Sequence, residues 1–224
     1  MTFSIVARCA LTGQFGAAVC SSSPAVAARC IRARAGVGAV ASQNITDPAL
    51  GNQALDLMAS GMSAEKALNH LCATTENISF RQLMAVDRAG LTAIFTGDKC
   101  LGIVGQAEGP QVACAGNLLA GEAIPAAMVK AFADSTGPLV DRMLLAMRAA
   151  MALGGEAGPV HSAGLLLVDA QSWPIADLRV DWSEADPIEE LSQLWSLYSP
   201  QMGSYVQRAQ SPSIAPSYGV PGDL

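Results

Sequence analysis

Hydrophobic and polar positions along this chain change their period several times, and each change predicts an element. Residues 2–9, TFSIVARC, alternate in part and are rich in apolar and β-branched side chains; ALTGQFG supplies turn chemistry, and FGAAVCSS resumes the strand pattern, which predicts a hairpin. PAVAARCIRARA has no clear period, but GVGAVASQ reads as a buried strand whose glycines admit a close neighbour, with Gln43 and Asn44 at its end. DPALGNQALDLMASG spaces its apolar residues for a helix, with Asp47 as N-cap, Pro48 at the first position and Gly61 just past the end, and Ser63 caps a second helix, AEKALNHLCAT. RQLMAVD and LTAIFTG form a second hairpin about RAG, and LGIVGQA and PQVACAG read as two more strands. Helices over about 121–134 and 138–152 follow, divided by STGP. SAGLLLVDA and IADLRVD return to strand, and DPIEELSQLWSLY closes as an amphipathic helix capped by Asp186 and Pro187. Residues 199–224 are rich in Ser, Pro, Gln and Gly and predict a tail with no core of its own, so a single domain is expected over 1–198.

Blocks of antiparallel strands separated by helix pairs do not suit a doubly wound parallel sheet, which places one helix between successive strands. Two antiparallel sheets packed face to face, each covered on its outer side by helices, do suit them. The predicted fold is α+β, a four-layer αββα sandwich, and its strands are apolar on both sides because each sheet is buried on both faces.

Composition fits that reading. Of 224 residues 51% are hydrophobic and 14% charged, enough apolar side chain for a multilayered core. The net charge of -6, with no basic cluster denser than RCIRAR at 29–34, argues against nucleic acid as a partner. Apolar stretches are interrupted before ~18 residues, which predicts no membrane span, and no basic region leads into an apolar run at the N-terminus, so a cytoplasmic protein is expected. Six cysteines without a C-x-x-C pair read as reduced thiols, and with only His70 and His161 available neither a metal nor another cofactor is expected.

Chemistry therefore has to come from elsewhere, and residue 2 is the first candidate. Removal of Met1 leaves Thr2 with a hydroxyl and an α-amine; the amine titrates near ~7.7–8.0 and can take the hydroxyl proton directly or through water, so no histidine is needed. The plain alternative is an ordinary strand start. A nucleophile of this kind needs oxyanion donors. AGNLLAG at 115–121 is the first candidate, through backbone at Gly116 and the Asn117 amide; FTGDKC, with Thr96 and Gly97, is the second. Ser21, Arg34, Gln43 and Arg81 are polar residues at strand ends that line the same cleft in this reading. His161 and Ser162 are adjacent on a strand, point to opposite faces and cannot form one dyad. Cys9 and Cys20 have no histidine near them in sequence.

The blocks MTFSIVAR, TGQFGAAVCSSSPAVA, RAGVGAVASQ, RQLMAVD, FTGDKC, AGNLLAG and DLRVDWSEADPIEELSQL resemble, in order, those of the bacterial domain-of-unknown-function 1028 family (DUF1028), over about residues 1–198. That resemblance implies a fold similar to the N-terminal nucleophile hydrolases, a threonine where Thr2 stands, and shared positions at Ser21, Gln43, Arg81, Asp87, Gly97, Asn117 and Arg179. The chain departs from the family pattern at Cys9, where Asp is usual, and at His161, where Gln is frequent. If that Asp orients the terminal amine, Cys9 cannot replace it. The resulting expectation is a hydrolase with an N-terminal threonine acting on a small amide or acyl substrate, in a homo-oligomer; the rival is an idle sandwich that binds a small metabolite or a protein partner in the same cleft.

Overall fold

The computed structural model describes residues 2–220 and places them in a four-layer αββα sandwich. The first sheet has six strands in the order β10-β9-β2-β1-β8-β7, where β1 is Thr2–Arg8, β2 Phe15–Ser21, β7 Gly105–Gly109, β8 Val112–Asn117, β9 Ser162–Val168 and β10 Ala176–Val180. The second has four, β3 (Ile31–Arg34), β4 (Gly38–Asn44), β5 (Arg81–Asp87) and β6 (Thr92–Thr96), in sequence order. Every pairing within the two sheets is antiparallel.

Side chains alternate across each strand, so the period of two separates the layers. On β1, Phe3, Ile5 and Ala7 face helices α4 (Ile124–Asp134), α5 (Leu139–Ala152) and α6 (Pro187–Gln210). Val6, with Thr2 and Ser4 in the same phase, faces the other sheet. Helices α2 (Ala49–Ala59) and α3 (Ala64–Thr74) cover the second sheet through Leu50, Leu55, Leu68 and Leu71 against Val40, Leu83 and Ala85. The layer between the sheets sets the small side chains Ala17, Ala39, Ala41, Ala113 and Ala115 among valines and the larger Phe15, Ile31, Met84 and Leu166.

The helix termini follow the capping residues. The Ala49 amide donates to Asp47 Oδ1 at 3.0 Å, Lys66 N donates to Ser63 Oγ at 3.3 Å, and the Ile188 and Glu189 amides donate to Asp186 Oδ1. Gly61 just past α2 has φ of 105°, a conformation glycine adopts without strain.

Three stretches differ from the sequence pattern. PAVAARCIRARA resolves into a short helix α1 (Val26–Cys30), entered through Ala25 at φ 51°, and then β3. Within LGIVGQA only the part from Gly105 onward is strand. The closing helix does not stop at Tyr198 but continues through Pro200 to Gln210, so the expected boundary at 198 falls inside it. Tertiary contact outweighs the proline here: Tyr198, Met202 and Val206, spaced by four, pack against the helix-side core, and the Tyr198 hydroxyl donates to Ile175 O at 2.7 Å.

Two glycines test how tightly the layers fit. A Cβ at Gly38 would meet the backbone carbonyl of Val86, whereas one at Gly16 would meet the flexible end of Met143. Gly38→Ala is expected to destabilise at the upper end of the ~1–3 kcal/mol typical of overpacking and Gly16→Ala at the lower end, as read by urea unfolding. Equal losses would contradict this packing.

Candidate active site

The inter-sheet layer is apolar for most of its length and turns polar at one end. β1 starts there. Thr2 pairs with Asn117 of β8, and the register Phe3↔Cys20 sets Ser21 of β2 opposite Thr2 on its other side. Ser21 in turn pairs with Ser162 of β9. Across the gap, Gln43 at the end of β4 pairs with Gln82 of β5, and Gln82 with Thr96 of β6. Thr2, Ser4, Ser21, Gln43, Gln82, Asn117 and Ser162 are all buried.

A run of hydrogen bonds joins this polar end, and two main-chain carbonyls set its direction. Gln43 Nε2 donates to Ala115 O and Gln82 Nε2 to Gly116 O, each at 3.2 Å; a carbonyl only accepts, so both amide nitrogens are assigned. Gln82 Oε1 must then be an acceptor, and it takes Gln43 Nε2 at 2.7 Å and Asn117 Nδ2 at 3.3 Å. Ser4 Oγ donates to Gln43 Oε1, and Gln82 Nε2 reaches Thr96 Oγ1, which donates to Gln106 Oε1 at 2.8 Å. The atom left over is Asn117 Oδ1, buried and without a partner among the described residues. The Asn117 amide therefore offers an acceptor at the level of Thr2, and of its two Nδ2 hydrogens one is engaged by Gln82 Oε1.

The backbone of AGNLLAG is engaged as well. The amides of Leu118, Leu119 and Ala120 donate to Leu101 O, Ile103 O and Gly155 O, and the Gly116 carbonyl is held by Gln82.

A second group closes the start of β1. Glu156, on the loop after α5, forms a β-bridge with Leu119, two residues beyond Asn117, and both its carboxylate oxygens accept the Ser22 amide at 3.2 Å, one residue beyond Ser21. It thus spans the continuations of both strands that flank Thr2. Glu156 is 3% exposed, and burial pushes its carboxyl up to about 7, against the opposing effects of the Ser22 hydrogen bonds and His161. His161 is held apart from it: Nδ1 lies 2.8 Å from Ser183 O, and the ring stacks on Trp182. Ser162 Oγ donates to Ser23 O and accepts the Val26 amide, fixing the segment after β2.

Not every expected residue converges here. Thr2, Ser21, Gln43, Thr96, Gly116 and Asn117 do. Arg34 lies at the other end of β3, pairs with Gly38 across the hairpin and bonds the exposed Asp56, so it does not line the polar end. Arg81 stands beside Gln82, but its alternating phase turns it to the other face, where it donates to Ile45 O. Gly97 packs its Cα against the Ser79 backbone, a close approach at the end of β6. Asp87 accepts the Ala64 amide at the start of α3 and the Ala89 and Leu91 amides of the β5–β6 turn, a structural role, and Arg179 pairs with Asp177 on the edge strand β10. Cys9 follows the far end of β1, about 23 Å from Thr2 at ~3.3 Å per residue, so residue 9 does not reach a terminal amine. Met1, whose removal the sequence reading requires, lies outside the described residues.

The alternative nucleophiles fare less well. Burial pushes the Cys20 thiol well up, aided by Glu156 and Asp186. At Cys9 burial acts upward too, but hydrogen bonds from Thr12 and Leu11 and the charge of Arg142 outweigh it and leave the thiol lowered. Cys9 borders a mainly apolar cavity of about 520 Å³ with Leu139, Trp195 and Met202, remote from the buried polar groups. A cavity of about 360 Å³ lined by Thr96, Val104, Gly105, Gln106 and Glu122 adjoins the amide run instead. Among the described residues no group of three or more His, Cys, Asp or Glu could hold a metal ion, and no helix is long and apolar enough to cross a membrane.

Comparison with known proteins follows the same lines. A family model described as "Family of unknown function (DUF1028)" matches residues 2–191. Among solved structures, protein SPO2555 from Silicibacter pomeroyi, itself assigned to DUF1028, superposes with a TM-score of 0.83 at 30% identity over 93% of each chain. Anbu (ancestral beta-subunit) from Yersinia bercovieri gives a TM-score of 0.36 at 11% identity, covering 96% of this chain and all of its own. A Gly-1 mutant of Anbu from Hyphomicrobium sp. strain MC1 gives 0.42 at 12% identity, covering 91% of this chain and 97% of its own. No curated protein matches significantly in sequence.

The fixed direction of the amide run has a measurable effect. In Gln82→Glu the oxygen replacing Nε2 faces Gly116 O, and only a protonated carboxyl relieves that contact, so the folded-state pKa lies above the unfolded value near ~4.3. The folded state then binds the extra proton, and stability falls as pH rises from about 4.3 through the folded pKa. The gap in Tm between Gln82→Glu and wild type is expected to be wider at pH 8 than at pH 5 by at least ~4 °C; an equal gap would contradict the assigned direction.

Proposed function

We propose that this chain, which belongs to the DUF1028 family, is a hydrolase whose nucleophile is Thr2 at a processed N-terminus. The observation that carries the reading is the place of Thr2: it heads a central strand at the one end where the layer between the sheets becomes polar, facing that layer beside Asn117. The Thr2 hydroxyl attacks the carbonyl carbon of a small amide or related acyl compound while the α-amine takes the hydroxyl proton. Collapse of the tetrahedral intermediate expels the leaving amine, which takes that proton, and water then hydrolyses the acyl-threonine. Asn117 Oδ1 enters as an acceptor for a donor on Thr2. Because the amides of Leu118 to Ala120 are already bonded, the oxyanion donor is assigned to the second Nδ2 hydrogen of Asn117.

The cavity of about 360 Å³ beside Thr96 and Gln106 supports a small polar substrate, with Glu122 at its rim. Six free cysteines support a reducing compartment, in keeping with the expected cytoplasmic setting. Exposed Leu194, Leu197 and Tyr205 on α6 support the expected homo-oligomer.

Intact-mass analysis of the protein from its native host is expected to give a chain lacking Met1, and a β-lactone, which a nucleophilic hydroxyl opens, is expected to add its whole mass at Thr2 and not to a Thr2→Ala chain. A retained Met1 with no adduct would overturn this reading in favour of a binding protein.

A further inference from the structure

Glu156 is a buried carboxylate with no side-chain ion pair among the described residues. No Lys, Arg or His among those residues pairs with it, and its hydrogen bonds come from one residue, Ser22. An unpaired buried carboxylate is costly, and such a group is tolerated where a charge is needed. Its position narrows what that charge serves. The bridge to Leu119 ties it to the continuation of β8 and the Ser22 bonds tie it to the continuation of β2, so the carboxylate crosses the line of β1 just ahead of Thr2. The loop is fixed there rather than hanging free. Ala120 N donates to Gly155 O and Ala157 N to Leu118 O, each at 2.9 Å, and a Cβ at Gly155 would come within 3.4 Å of the Phe3 ring.

We propose that Glu156 is the counter-ion that seats the α-ammonium group of a terminal Thr2, a positioning residue for the nucleophile; this rests on the reading of Thr2 given above. When the chain begins at Thr2, β1 ends in a cation, and Glu156 is the carboxylate that the fold holds across that end. The titratable groups around Glu156 are Cys20 on β2 and His161 ahead of β9, with Asp186 at the start of α6 also acting on Cys20 and Glu184 lying 4.0 Å from His161. Of these only His161 acts against the burial of Glu156, and it forms no ion pair with it, its Nδ1 lying 2.8 Å from Ser183 O.

The test needs no substrate. In full-length chain produced with Thr2 at its terminus, the α-amine is titrated by competitive labelling with 1-fluoro-2,4-dinitrobenzene and mass spectrometry, both folded and in urea. A neighbouring opposite charge raises an amine by about one pH unit or more, so the folded midpoint is expected to lie at least that far above the urea value. Glu156→Gln is expected to lower it again, giving about tenfold more labelling at a pH below both midpoints. A folded midpoint at or below the urea value, or one that Glu156→Gln leaves unchanged, would overturn the proposal. If Glu156→Gln does not fold, the comparison of folded and urea-unfolded wild type decides alone. An unchanged midpoint together with a β-lactone adduct on Thr2 removes only the role of Glu156, whereas a raised midpoint with no adduct removes the hydrolase and leaves the ion pair.

Discussion

Two main-chain carbonyls, those of Ala115 and Gly116, govern the polar end of this molecule. The central strands are buried on both faces, so Gln43, Gln82 and Asn117 between the sheets have no water to turn to and must find their partners in the protein. A carbonyl accepts and never donates, and that one-sidedness passes from Gly116 to Gln82, from Gln82 to Gln43 and Asn117, and from Gln43 to Ser4. Each amide is locked in one orientation by the next. The same carbonyls lie on β8, which pairs directly with β1, so the strand that fixes the amides is also the strand that carries the partner of Thr2.

The rest of the architecture serves to make that end possible. The alanine-lined layer between the sheets brings β1 and β4 close enough for Ser4 to reach Gln43, and the helix layers exclude solvent from the outer faces. Polar residues concentrate where the strands end, because only there can loops such as the one holding Glu156 fold across the opening. The site is therefore an edge of the sandwich rather than a hollow within it, and the mainly apolar cavity beside Cys9 belongs to the opposite edge.

Much of this was legible in the residues. The alternation of TFSIVAR, the Asp47-Pro48 start and Gly61 stop of α2, and the Ser63 cap of α3 act locally, through turn and cap chemistry that neighbours in sequence supply. The four-layer order followed from blocks of strands and helices. Arg34 was misplaced because a strand pattern tells which face a side chain takes but not which end of the strand meets the other sheet. Glu156 gave no signal: GGEAG reads as a turn, and its burial depends on Leu119 and Ser22, residues far away in sequence. The continuation of α6 past Pro200 was hidden for the same reason, since the contacts of Met202 and Val206 override a local breaker.

The straightness of β1 has a consequence for reading relatives of this protein. The seven extended residues of β1 run from Thr2 to the hairpin that holds Cys9, and the two ends look onto different neighbours: buried amides and a carboxylate at one, an apolar hollow under α5 and α6 at the other. The strand acts as a spacer that insulates one end from the other. A change of residue at position 9 is thus a change of lining in a remote compartment and leaves the surroundings of Thr2 as they are.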